Sequence, residues 1–257
     1  MYRYLTLILP VIFCLYQCKG ARSNPVEPKA IGLGLITVNT SYPLPLFKQG
    51  TDRIPFDTVK FELKKSGVTR FISKVKLGAY LMTVGDSYEA GQENINRGLV
   101  RFGPVLKFRV LDTTASSYTI VTNEQTWETM VIKKDPSNAY YTSERELDDN
   151  NCINCPGSKY NPKWSIYETW ERYLRRVEYI TSEKLVIYDK PNGKVIFENK
   201  ENTFLPFGVE AVQGEWIKLK KGFGRESNFD GGKNYAGWIK WRDGARILID
   251  IVEHTYE

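Results

Sequence analysis

The residues best suited to chemistry are Cys152 and Cys155, spaced Cys-Ile-Asn-Cys and followed by Pro156-Gly157. Such a pair can serve as a redox centre, half of a zinc site, a local disulfide or two inert thiols. A redox centre needs a thiolate stabilised at a helix N-terminus, usually within a βαβ unit. No such pattern surrounds this pair. A zinc site needs two further ligands. The other cysteines, Cys14 and Cys18, stand near the start of the chain, and the single histidine, His254, stands near its end. Exported thiols usually oxidise, so a short disulfide between Cys152 and Cys155 bracing a loop is the leading expectation. No metal and no cofactor is expected. A lone histidine also removes most His-based catalysis. Asp86, Glu89, Asp148 and Asp149 lie in loop-like stretches, and nothing in their spacing selects a pair for acid–base hydrolysis. Gly32-Leu-Gly34 is too short for a dinucleotide motif, and no phosphate-binding loop is present.

The second constellation is aromatic. Gly214-Glu-Trp-Ile-Lys-Leu219 and Ala236-Gly-Trp-Ile-Lys-Trp241 share a Trp-Ile-Lys core. In strands, side chains alternate faces with period two. Ile217, Leu219, Ile239 and Trp241 therefore share an inward face, while Trp216, Lys218, Trp238 and Lys240 point outward. With Tyr188 and Tyr235 they form a candidate ligand-binding surface. Aromatic faces beside lysines stack on sugar rings or proline-rich peptides and attract carboxylates. The competing reading has these tryptophans packed against a helix or the first domain. Tryptophan is costly to leave exposed and a two-domain chain needs an interface, which favours packing.

The elements that must position these residues follow in chain order. After a tether at 19–31, a β-rich segment spans 32–142. Thr58–Leu63 alternates cleanly and pairs with Arg70–Val75; Leu77–Val84, Leu106–Leu111, Tyr118–Thr122 and Thr129–Lys133 are further strands. Residues 143–182 hold the cysteine loop and one amphipathic helix. Ser165 and Glu168 fit a capping box, and Ile166, Trp170, Tyr173, Leu174, Val177 and Ile180 fall on one helical stripe. In residues 183–257, Leu185–Asp189 and Lys194–Phe197 flank a Pro191-Asn-Gly193 turn. Thr203–Val212 is long enough to bend at Gly208 and serve two sheets, and Arg246–Val252 closes the set.

The tyrosine after the first strand of this last segment, the Gly-Glu-Trp entry and the Gly-Trp-Ile closure resemble the bacterial SH3-like domain. The resemblance covers about 75 residues and implies a small closed barrel associated with cell-wall or peptide recognition. Such domains often accompany a Cys–His peptidase, which needs a nucleophilic Cys and a basic His inside one fold; no such domain is read in this chain.

Residues 1–18 begin with Arg3 in a basic start, run apolar from Leu5 to Tyr16 and end at Cys18. The run has the length of a signal-peptide core and is too short to span a bilayer. It resembles a bacterial lipoprotein leader, although Gln17 stands where that family prefers a small residue. The resemblance implies lipidation of Cys18 and a lipid-anchored envelope location, on the periplasmic face or at the outer membrane. The chain has 257 residues and a net charge of +6. Its charges are interspersed without a run of five basic residues, so nucleic acid is not an expected partner.

The expectation is thus a mainly β protein with two small β domains, the C-terminal one an SH3-like barrel, bridged by one amphipathic α-helix. Its expected role is non-enzymatic: recognition of a cell-wall glycan, a peptide or another envelope protein. The alternative is an enzyme, either a thiol redox protein or a hydrolase with its site in the N-terminal domain. A purely structural envelope subunit is the third reading.

Overall fold

Alternating apolar and polar residues dominate the chain, and strands dominate the fold they produce. A computed structural model describes residues 30–50, 53–63, 69–84, 104–151, 160–201, 203–220 and 236–253. Cys18, Cys152, Cys155, Tyr235 and His254 lie outside the described residues. Among those described, the protein is mainly β, with nineteen strands and two short helices.

The first ten strands are β1 (Gly34–Asn39), β2 (Leu44–Leu46), β3 (Asp57–Leu63), β4 (Thr69–Ile72), β5 (Leu81–Val84), β6 (Pro104–Thr113), β7 (Ser117–Asn123), β8 (Glu128–Lys133), β9 (Ala139–Tyr141) and β10 (Trp164–Thr169). Seven build one sheet in the order β8-β7-β6-β1-β10-β9, with β5 also paired to β6. β5 takes the first half of one edge of β6, and β7 takes the second half. β2, β3 and β4 form a separate three-stranded sheet, tied to β8 by a bridge between Phe47 and Val131.

Period two on β6 sorts this sheet into two unlike faces. Leu106, Phe108 and Val110 join Ile36, Val38, Ile120 and Ile132 in one apolar cluster, which the three-stranded sheet covers through Leu46 and Val59. Lys107 and Arg109 point the other way. They are buried as well, Lys107 completely.

The helix expected over Ser165–Ile180 is corrected. Trp164–Thr169 is strand β10, held antiparallel to β1 from Gly34↔Thr169 to Val38↔Ser165. Only Trp170–Arg176 is helical. Ser165 caps nothing; Thr169 is the N-cap, its hydroxyl accepting from Arg172 N–H at 3.3 Å. Trp-Ser-Ile-Tyr-Glu-Thr alternates as well as it spirals, and the edge of β1 offers its first half a ladder that an isolated turn cannot match. The buried stripe survives the change of period. Trp170, Tyr173, Leu174, Val177 and Ile180 all enter one core cluster, now through a short helix and the strand after it.

A helix also forms where a loop was expected. We label Glu144–Asn150 α1 and Trp170–Arg176 α2. Ser143 Oγ accepts from Glu146 N–H at 3.1 Å, and the Glu146 carboxylate accepts from Thr142 N–H. This places the Ser-x-x-Glu capping signature at 143–146 rather than 165–168.

The C-terminal strands are β11 (Tyr179–Thr181), β12 (Val186–Tyr188), β13 (Val195–Glu198), β14 (Gly208–Gln213), β15 (Trp216–Lys220), β16 (Trp238–Lys240), β17 (Arg242–Asp243), β18 (Arg246–Ile247) and β19 (Asp250–Val252). Five form a sheet in the order β13-β12-β16-β15-β14. The β12–β13 turn holds Asn192 at positive φ and directs Lys194 N–H to Asp189 Oδ1 at 2.8 Å. Phe207 bridges Ile180 and β14 begins at Gly208, so this segment does serve two sheets. The expected closing strand does not close a barrel: β18 pairs with β17, and β19 pairs with β11. The five-stranded sheet is open. Its apolar face shares a cluster with α2, with Leu35 and Leu81 of the first sheet and with Tyr80 just before β5.

Candidate functional site

The two Trp-Ile-Lys runs pair as β15 and β16, with Trp216 opposite Lys240, Ile217 opposite Ile239 and Lys218 opposite Trp238. Ile217, Leu219 and Ile239 are buried, at 0%, 1% and 3% exposed. Trp216, Lys218, Trp238 and Lys240 are half-buried on the opposite face. Tyr188 on β12 stands opposite Trp238 and joins the same face. The Tyr188 and Trp216 rings meet edge to face, with centroids 5.2 Å apart and planes at 86°. This T-shaped geometry aligns the ring quadrupoles and holds both rings in place.

Gly237 permits the arrangement. A Cβ there would lie 2.3 Å from Ile187 Cγ2 and 2.7 Å from the Tyr188 carbonyl oxygen. Only a residue without a side chain lets β16 approach β12 closely enough to bring Tyr188 beside the tryptophans. Five of the six proposed contact residues thus share one face, and Tyr235 lies outside the described residues.

The charges on this face are already matched. Lys218 Nζ donates to Glu210 at 2.9 Å. Lys240 Nζ donates to Asp243 at 3.0 Å and pairs with Glu215 at 3.4 Å. The hydrogen bond it donates to Asp243, with Glu215 beside it, pushes the Lys240 ammonium above its usual range. The lysines therefore hold their own carboxylates, and the surface offers aromatic stacking with little net charge.

Trp241 does the interface work considered above for Trp216 and Trp238. It is 1% exposed. Its ring packs 5.5 Å from Trp170 of α2, and its indole N–H donates to the Gly214 carbonyl at 3.0 Å.

A second polar cluster was not foreseen. Lys107 pairs with Glu253 inside the core. Arg176 spans Glu253 at 2.7 Å and Glu168 at 2.5 Å. Arg109 pairs with Glu124 at 2.5 Å and donates to the Ala245 carbonyl at 2.7 Å. Burial pushes the Tyr173 phenol far above its normal range, and the Glu253 carboxylate beside it adds to this. In sequence, Lys107 and Arg109 are simply the polar half of an alternating strand, indistinguishable from a solvated face. These ion pairs fasten β6, β10, α2 and the residue after β19 together. Among the described residues no group of three metal-ligating side chains comes together.

No family model, curated protein or solved structure matches this chain. Local chemistry is then what separates one function from another.

Proposed function

We propose that this is a non-enzymatic binding protein of the bacterial cell envelope, anchored through Cys18, whose C-terminal SH3-like module recognises a ring-bearing ligand. The observation that supports it is the Tyr188–Trp216 edge-to-face pair beside Trp238, set over a buried aliphatic layer. Because Lys218 and Lys240 already hold carboxylates, the ligand is uncharged where it stacks: a sugar ring of a cell-wall glycan or a proline-bearing peptide.

Retention on insoluble cell-wall sacculi tests this directly. Wild-type protein should sediment with the sacculi, and Trp216→Ala and Trp238→Ala should each weaken retention by about tenfold, one aromatic contact of roughly 1.4 kcal/mol. Absent retention, or retention indifferent to both substitutions, overturns the assignment.

A further inference from the structure

The outer surface of the three-stranded sheet carries apolar side chains left open to solvent. Ile54 is 79% exposed, and Phe56 and Ile72 are each 40% exposed. Ile72 of β4 stands opposite Lys60 of β3, so the two share a face, the one turned away from buried Val59. Pro55, Phe56, Lys60, Ile72 and Lys74 line one open cleft there. Fixed hydrogen bonds present these groups. Phe56 N–H donates to the Leu46 carbonyl at 2.8 Å. The buried Asp57 carboxylate accepts from Ser73 Oγ at 2.5 Å and from the Lys74 and Val75 N–H groups at 2.7 and 2.9 Å. These bonds bring the segment after β4 against the start of β3, which puts Lys74 and Phe56 on the same cleft. Pro55 has no N–H, so this tip has one fewer donor to desolvate.

The uncommitted charge around these side chains has one sign. Arg53, Lys60 and Lys74 are exposed, and among the described residues no carboxylate pairs with any of them. Lys48 Nζ lies over the Phe56 ring, 3.9 Å from its centroid. The two carboxylates of β3 are already used, Asp57 by the bonds above and Glu62 by Arg70 at 2.9 Å. This differs from the outer face of β15 and β16, where Lys218 and Lys240 each hold a carboxylate.

We propose that this face is a peripheral membrane-contact surface, with Ile54, Phe56 and Ile72 entering the headgroup layer of an anionic bilayer and Arg53, Lys60 and Lys74 meeting its phosphates. An acidic polypeptide would answer the cations and leave Ile54 in water. The boundary of an anionic bilayer offers negative charge and apolar depth together. The contact needs no acyl group on Cys18, and it lies on a different sheet from Tyr188 and Trp216.

The full chain carrying Cys18→Ser, which removes the acyl acceptor, tests this on phosphatidylglycerol–phosphatidylcholine vesicles against phosphatidylcholine alone. The reading is the vesicle concentration that half-protects the Lys60 and Lys74 amines from acetylation, resolved by mass spectrometry, so that this face is read separately from the apolar leader. Protection by the anionic vesicles alone is expected. Arg53→Glu, which leaves both amines to be read, should raise the half-protecting concentration by at least about tenfold. Ile54→Ser should raise it about fivefold with an unchanged circular dichroism spectrum. Trp216→Ala should leave it unchanged, so failure here and failure of the aromatic face are read apart. Unprotected amines, equal protection by both kinds of vesicle, indifference to both substitutions, or protection by polyglutamate instead of by vesicles overturns the proposal.

Discussion

Lys107 and Glu253 form an ion pair with both side chains fully buried, joining the middle of β6 to the residue after β19 across 146 positions of sequence. Arg176 shares the same carboxylate and carries the link on to Glu168 of β10. The first and last parts of the chain are therefore fastened by charges inside a core as well as by apolar contact.

Breaking that pair from one side should be severe. Lys107→Met leaves Glu253 partly unmatched in the interior and should cost about 3–5 kcal/mol. Lys107→Met with Glu253→Gln removes both charges and should cost clearly less than the two single changes added together. Urea unfolding at neutral pH measures all three; strict additivity would show that the pair is not coupled.

Trp241 and Trp216 should separate stability from binding. Trp241→Ala opens a cavity against Trp170 and orphans the Gly214 carbonyl, at a cost of about 3–5 kcal/mol. Trp216 is half-exposed, and its removal should cost about 1 kcal/mol. Thermal melts of the two variants should differ widely, with Trp241→Ala far the lower.

Asp57 should govern the acid limit of the three-stranded sheet. Burial raises its carboxyl, but hydrogen bonds from Ser73 Oγ and from the Val75, Thr58 and Lys74 N–H groups outweigh it and leave the group below the usual value. A carboxyl depressed on folding stabilises the protein above its unfolded pKa, and that contribution is lost as pH falls through the folded one. Stability should therefore drop below about pH 4, and Asp57→Asn should flatten that acid limb. Denaturant melts from pH 2 to pH 7 on both proteins give the slope, and identical acid limbs would exclude Asp57 as the source.

Gly237→Ala should damage the aromatic face without touching an aromatic residue. The added methyl meets Ile187 and the Tyr188 carbonyl, and forcing β16 from β12 should cost about 1–3 kcal/mol. It should also loosen the Tyr188–Trp216 contact. The near-ultraviolet dichroism of the folded variant reports this, and a wild-type spectrum would show that the glycine is dispensable.

Much of this protein could be read from residue spacing, because strand alternation is a local property. Ile217, Leu219 and Ile239 turn inward and the neighbouring indoles outward for no reason beyond period two and the need to bury aliphatic surface. The β12–β13 hairpin follows from turn chemistry in the same way. At Trp164–Thr169 the local signals were ambiguous, since helical and extended spacing both bury Ile166. The exposed ladder of β1 settled that competition.

Other features had no local signal. Alternation marks Lys107 and Arg109 as the polar face of β6 but cannot say whether that face meets water or a second layer. Their burial depends on partners brought in by other elements: Glu253 for Lys107, and Glu124 with the Ala245 carbonyl for Arg109. The open sheet likewise depends on β19 finding β11 instead of the five-stranded sheet. Sequence alone determined which way each strand turns its side chains, because that is set by neighbours along the chain. Tertiary structure decided what each face meets, because partner strands and countercharges come from anywhere in the chain.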